Sequence, residues 1–144
     1  MSWNNDLDLG KKVERAWLNR IMVAFGDARQ TFGEDCRFDL EVPELGISIE
    51  VKFDPRSQET GNVVLEYYHG KPSGILTSEA THWLFDLGDQ QIWITRERLL
   101  EFLLREKPQP VKIHGPGDSK PKMVFLIPRQ DLIQYSHRAE APAA

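Results

Sequence analysis

The chain reads as a mixed α/β domain, a central β-sheet flanked by helices and closed by a C-terminal β-hairpin. Three features predict this. A long segment near the start has apolar residues at helical spacing. Several short runs alternate apolar and polar residues, with Pro/Gly turns between them. Two apolar arms late in the chain flank a Gly-Pro-Gly turn. At 144 residues, 40% hydrophobic and 28% charged, the chain suits one compact domain, expected over 1–136 with a disordered tail over 137–144.

The first helix is expected over about residues 8–25, with Asp6 or Asp8 as its cap. At roughly 100° per residue, Trp17, Leu18, Ile21, Ala24 and Phe25 fall within one arc, and Lys12, Arg15 and Asn19 lie largely off it. Glu14 falls inside the apolar arc. A carboxylate there is costly unless it is paired or binds a cation. It either faces a site or reaches past Trp17 to solvent or to Lys11 or Arg15. Gly26 to Glu34 is polar and turn-rich and reads as a loop.

Arg37 to Asp54 is the stretch around which the rest is organised. It reads as two short strands joined by the turn Pro43-Glu44-Leu45-Gly46. In the second, Ile47, Ile49, Val51 and Phe53 alternate with Ser48, Glu50, Lys52 and Asp54. Glu50 and Lys52 therefore emerge on the face opposite the apolar set. In the first, Asp39 sits between Phe38 and Leu40, and pairing of the strands brings it beside Glu50. Asp35 is a rival acid, but it lies in a polar run where a solvated carboxylate is the ordinary outcome. Two carboxylates converging at strand ends beside a lysine suit a hard divalent cation and a polarised water.

The rest follows in order. Asp54 to Asn62 is a polar loop in which Arg56 is a candidate phosphate contact. Val63 to Tyr68 is a third strand, with Glu66 either near the site or facing solvent. The loop His69 to Gly74 offers Lys71 and Ser73 as further phosphate contacts, and Ser78 to Ala80 opens a short helical turn. His82–Asp86 and Gln91–Thr95 are strands joined by Leu87-Gly88-Asp89-Gln90. His82 is a lone histidine, more often structural than a ligand or base. Thr95 caps a helix from Arg96 to about Glu106, with Leu99, Phe102 and Leu103 as its stripe and Arg96, Glu97, Arg98 and Glu101 on its solvated face. Val111–His114 and Lys122–Ile127 form the hairpin, with Lys112, His114, Lys120 and Lys122 on its arms. It is either a wing that grips a phosphate backbone or an edge whose lysines block aggregation. A short helix follows over Pro128–Gln134.

The helix-strand-strand order carrying Glu14, Asp39 and Glu50-Val51-Lys52 resembles the PD-(D/E)XK nuclease superfamily, whose motif is an acid on one strand and acid-x-Lys on the next. Phe38 stands where many members have proline. The polar loops and the Pro-Ser-Gly at 72–74 are similar to small phage or bacterial members, and the family also includes Holliday-junction resolvases. The resemblance implies a restriction-endonuclease-like fold and a metal-dependent DNA endonuclease, and the small size suggests a structure-selective or general one. Asp39, Glu50 and the Val51 carbonyl would hold Mg²⁺, for which Mn²⁺ substitutes. Glu14 would bind through water or help to hold a second ion. Lys52 would orient or deprotonate the attacking water, and Arg56, Lys71, Ser73, Lys112, Lys120 and Lys122 would touch DNA. It further implies a homodimer with one site per strand. The rival expectation is a non-catalytic nuclease-fold module that binds DNA or a protein partner.

The balance of 18 Lys and Arg against 22 Asp and Glu gives a formal charge of -4. That excludes coating of nucleic acid by bulk charge but leaves room for a local groove. No apolar run approaches the roughly 20 residues of a membrane span, and the start lacks a signal-peptide pattern. A cytoplasmic setting, in a bacterial cell or phage-infected host, is the expectation, with no nucleotide cofactor. The single cysteine, Cys36, leaves no intramolecular disulfide.

Overall fold

The computed structural model describes residues 3–30 and 38–138, with side chains from 9 to 30 and from 38 to 137. Glu34, Asp35, Cys36 and the tail beyond 138 lie outside the described residues. The element order is α1 (Trp3–Phe25), β1 (Arg29–Gln30), β2 (Leu40–Val42), β3 (Ile47–Phe53), α2 (Ser57–Thr60), β4 (Asn62–Tyr68), β5 (His82–Asp86), β6 (Gln91–Thr95), α3 (Arg96–Glu106), β7 (Gln109–Ile113), β8 (Lys122–Pro128) and α4 (Arg129–Arg138). The expected mixed α/β class is observed.

The strands form two sheets rather than one. The first has the order β1-β2-β3-β5-β6, and the second β4-β8-β7. In the first, β3 and β5 run parallel, with Glu50 opposite Trp83, while the other neighbours are antiparallel. The third strand, β4, leaves the central sheet and pairs with the C-terminal hairpin instead, Val63 opposite Ile127. The hydrophobic pattern gives Val63 and Leu65 a buried face but does not name the strand they pair with.

Two apolar clusters sandwich the first sheet. On one face Trp17 and Ile21 of α1 pack on Leu40, Val42, Ile49, Val51 and Leu84. On the other, Trp83, Phe85, Ile92 and Ile94 meet Leu99 and Phe102 of α3, Leu132 and Ile133 of α4, and Val63, Leu65 and Ile127 of the second sheet. β5 feeds both clusters, as a central strand of a covered sheet must. Trp17 also donates from Nε1 to Asp86 Oδ2 at 3.0 Å and meets Trp93 edge-to-face at 6.2 Å.

Several local expectations change. α1 begins at Trp3, so Asp6 and Asp8 lie inside the helix rather than capping it. Ala24 and Phe25, placed on its apolar arc, are exposed, because the sheet is covered as far as Ile21. The loop after α1 contains β1, whose Arg29 pairs with Glu41. Residues 57–60 form α2 within the expected loop, and the turn expected at Ser78 comes earlier, as a 3-10 turn over Gly74–Leu76. Thr95 caps α3 as its sequence implies, its Oγ1 accepting from the Arg98 N–H at 3.2 Å. α4 continues past Gln134 to Arg138.

Candidate metal and hydrolytic site

The site forms where the β2–β3 ladder lapses. β2 begins at Leu40, opposite Ile49, and Asp39 lies just before it. The Asp39 N–H still donates to the Ile49 carbonyl at 2.9 Å. Further along β3, the Val51 N–H meets no strand carbonyl among the described residues. It donates instead to Asp39 Oδ2 at 2.8 Å, so the carboxylate takes the place of a ladder acceptor. In an extended strand the N–H and C=O of one residue leave on the same edge. The Val51 carbonyl therefore faces the edge where Asp39 stands.

Side-chain alternation brings in the rest. Val51 is buried on the α1 side. Glu50 and Lys52 project from the opposite face, where the Lys52 ammonium lies 3.5 Å from Glu50 Oε1 and 5.7 Å from the centroid of the Trp83 ring. The carboxyl groups of Asp39 and Glu50 are within hydrogen-bonding reach of each other. Glu14 approaches from α1, half-buried, and accepts a hydrogen bond from Gln30 Nε2 at 3.0 Å. Glu14, Asp39, Glu50 and Lys52, read from the sequence as one constellation, are thus brought within electrostatic reach of one another.

Crowding shows in the protonation. Burial, then the Glu50 charge, pushes the Asp39 carboxyl up to about 7, against the relief given by the Val51 N–H and Lys52. Burial, then Asp39, pushes the Glu14 carboxyl up as well. Such a pair holds a proton or a cation more readily than two free charges. Among the described residues no group of three His, Cys, Asp or Glu side chains is arranged to hold a metal by itself. The close set is a carboxylate pair with one backbone carbonyl on the same edge. Mg²⁺ keeps several waters and takes one or two carboxylates, so this donor set fits it.

An open groove of about 1360 Å³ begins at Glu50 and Lys52 and runs past Lys71, Ser73, His82 and Arg96. A smaller cleft of about 610 Å³ lies on the α1 side, between Glu14 and Arg56. Of the expected DNA contacts, Lys71 and Ser73 line the large groove and Arg56 the small one. Ser73 Oγ is committed to Glu66 Oε2 at 2.8 Å, and Lys122 to Glu66 Oε1 at 3.8 Å. Glu66 is therefore a wall residue that ties the hairpin to the loop over 69–74. Lys120 lies against Gly70, and its carbonyl contacts His69 Nε2 at 3.1 Å. Lys112 is exposed on β7 and does not line the groove. His82 also lines it; its Nδ1 lies 2.8 Å from Thr81 Oγ1, and burial lowers its pKa. Sequence reasoning missed Arg96, which lines the groove rather than the solvated face of α3. Its only signal is its position directly after the capping Thr95.

Comparison with protein-family models, curated proteins and solved structures gives no match. Among the described residues no helix is long and apolar enough to cross a membrane.

Proposed function

We propose that the protein is a metal-dependent DNA endonuclease with a restriction-endonuclease-like core. One observation carries this reading: the Asp39 and Glu50 carboxyls are within hydrogen-bonding reach of each other, with the Lys52 ammonium beside Glu50, and Glu50 and Lys52 line an open groove. Structural ion pairs alternate in sign, whereas two half-buried acids so close call for a cation. Asp39 and Glu50, with the Val51 carbonyl, would hold Mg²⁺ or Mn²⁺, and Glu14 would orient water around it. The ion, when bound, supplies Lewis acidity and a more acidic water.

The remaining work falls to the chain. Lys52, held by Glu50 and the Trp83 face, aligns the attacking water and stabilises the negative charge that builds on the phosphoryl oxygens. Water oxygen bonds to phosphorus as the ester P–O bond breaks; the attacking water releases a proton to solvent, and the leaving oxygen takes one from solvent. Lys71 on the groove wall positions the strand through its phosphates. A dimer would present two such sites to two strands.

The test is incubation with supercoiled, linear, single-stranded and branched DNA, in Mg²⁺, Mn²⁺ or chelator. Metal-dependent nicking supports the enzyme. Binding of DNA or of a protein partner, with no cleavage under any metal, supports the non-catalytic module instead.

A further inference from the structure

Among the described residues, three arginines have a buried Nε without a hydrogen-bond partner: Arg96, Arg98 and Arg129. Two of them have other engagements. Arg98 lies over the Tyr135 ring at 4.8 Å, and Arg129 pairs with Asp89. Arg96 has neither. Its backbone N–H donates to the Thr81 carbonyl at 2.9 Å, which pins the main chain at the start of α3. Its guanidinium, half-buried, makes no ion pair or hydrogen bond among the described residues. The adjacent Glu97 is exposed and not paired with it. A buried N–H left unpaired is costly, and native proteins rarely keep one without a use.

Arg96 lines the same groove as Glu50 and Lys52. Of the other cations lining it, Lys52 is engaged by Glu50, and Lys71 is exposed and without an acidic partner among the described residues. Of the other acids lining it, Glu66 is answered by Lys122 and Ser73, Glu79 has a partner of its own, and Glu97 is exposed to solvent. Two cations without an acidic partner among the described residues therefore stand on separate elements along a groove that Glu50 and Lys52 also line. A guanidinium fork offers paired N–H donors in the geometry a phosphate accepts.

We infer that Arg96 is a phosphate subsite that holds the nucleic-acid strand at a phosphodiester neighbouring the one attacked, with Lys71 as a second phosphate contact in the same groove. This rests on the nuclease reading and adds a substrate-positioning residue outside its acid-and-lysine set. The guanidinium binds backbone phosphate, so its contribution is independent of base sequence and sensitive to salt.

The test measures fluorescence anisotropy of a labelled duplex and a labelled single strand, with Ca²⁺ in place of Mg²⁺. It compares wild type, Arg96→Gln, Arg96→Lys and Arg105→Ala, the last an exposed residue beside Glu106 at the far end of α3. Wild-type cleavage is assayed in parallel with Mg²⁺. The expected result is about a tenfold weaker affinity for Arg96→Gln, with the slope of log affinity against log salt reduced by about one. Arg96→Lys recovers most of both, and Arg105→Ala matches wild type. If wild type binds and cleaves while Arg96→Gln keeps its affinity, or loses affinity with an unchanged salt slope, the subsite is overturned and the nuclease reading stands. If wild type neither binds nor cleaves, the nuclease reading falls and the subsite with it. Urea denaturation of each variant checks folding; if Arg96→Gln does not fold, Arg96→Met, which keeps the aliphatic stem and removes the charge, carries the test with the same expected losses.

Discussion

Replacing Asp39 with Asn should make the metal-free protein more stable at alkaline pH. Asn keeps an oxygen for the Val51 N–H, which now reaches Asp39 Oδ2 at 2.8 Å, and removes the charge facing Glu50. The Asp39 carboxyl stands at about 7 in the folded protein against 3.8 for the free group. Its folded pKa is raised, so the folded state binds more protons than the unfolded one between these values. The stability Asp39 contributes is full below about pH 4 and is lost as pH rises to about 7. The gap of about three pH units corresponds to at most about 4 kcal/mol at 1.36 kcal/mol per unit. Relaxation of Lys52 and entry of water reduce this, so about 2–4 kcal/mol is expected. Glu14, also pushed up by burial and by Asp39, adds slope in the same direction. The assay is urea denaturation of wild type and Asp39→Asn in chelator, from pH 4 to pH 9. The gain from the substitution should open between pH 4 and pH 7 and then stay level. Adding Mg²⁺ at pH 8 should stabilise wild type and leave Asp39→Asn unchanged. A variant less stable than wild type at pH 8.5 in chelator, or a gain that does not grow with pH, would refute the reasoning.

Three other outcomes follow from the geometry. Lys52→Ala should lower the cleavage rate at least about a hundredfold and leave DNA affinity nearly unchanged; single-turnover cleavage beside anisotropy tests this, and cleavage at the wild-type rate removes Lys52 from the mechanism. Gly74→Ala should destabilise by about 2 kcal/mol or more, since Gly74 has φ +52° and a Cβ there would sit 2.0 Å from the Glu66 carbonyl oxygen; a thermal melt measures it. Thr95→Ala should cost about 1 kcal/mol through loss of the Arg98 N–H cap, read as a shift in the urea midpoint at constant m-value.

Much of the chain was legible where the signal is local. His82–Asp86 and Gln91–Thr95 are strands with the bounds their alternation and the intervening turn imply, and α3 starts where Thr95 places it. Glu14, Asp39, Glu50 and Lys52 were read as one set from helical period, from strand alternation and pairing, and from the resemblance to the nuclease motif. What escaped the sequence is non-local. Nothing in Val63–Tyr68 says that it pairs with Lys122–Pro128 rather than with the central sheet, because both partners bury the same face of β4. The two-residue β1 is too short for any periodicity. Arg96 reads as a solvated helix residue because only the placement of Thr81 and the loop over 69–74 turns that end of α3 into a groove wall. The hairpin lysines look like one basic patch in the sequence, yet the pairing of Glu66 with Lys122 takes one of them out of service.

The break in the β2–β3 ladder ties fold and chemistry together. A full-length β2 would meet the Val51 N–H and C=O with backbone groups, and no carboxylate would be needed there. Because β2 starts at Leu40, that edge of β3 is left open beside α1, and the Asp39 side chain fills the acceptor position. Hydrogen bonding from Val51 favours the charged carboxylate; burial and Glu50 disfavour it. A bound proton settles the conflict at low pH; on the proposed reading, a cation would settle it at neutral pH. The backbone around the site is held from beneath by Trp17, Ile21, Ile49 and Leu84, none of which depends on the charge above. On the proposed reading, exchange of proton for cation would not require the core to repack. A rigid frame around a frustrated acid pair is the arrangement expected of a binding site, since a purely structural pair would be more stable with one acid replaced by its amide.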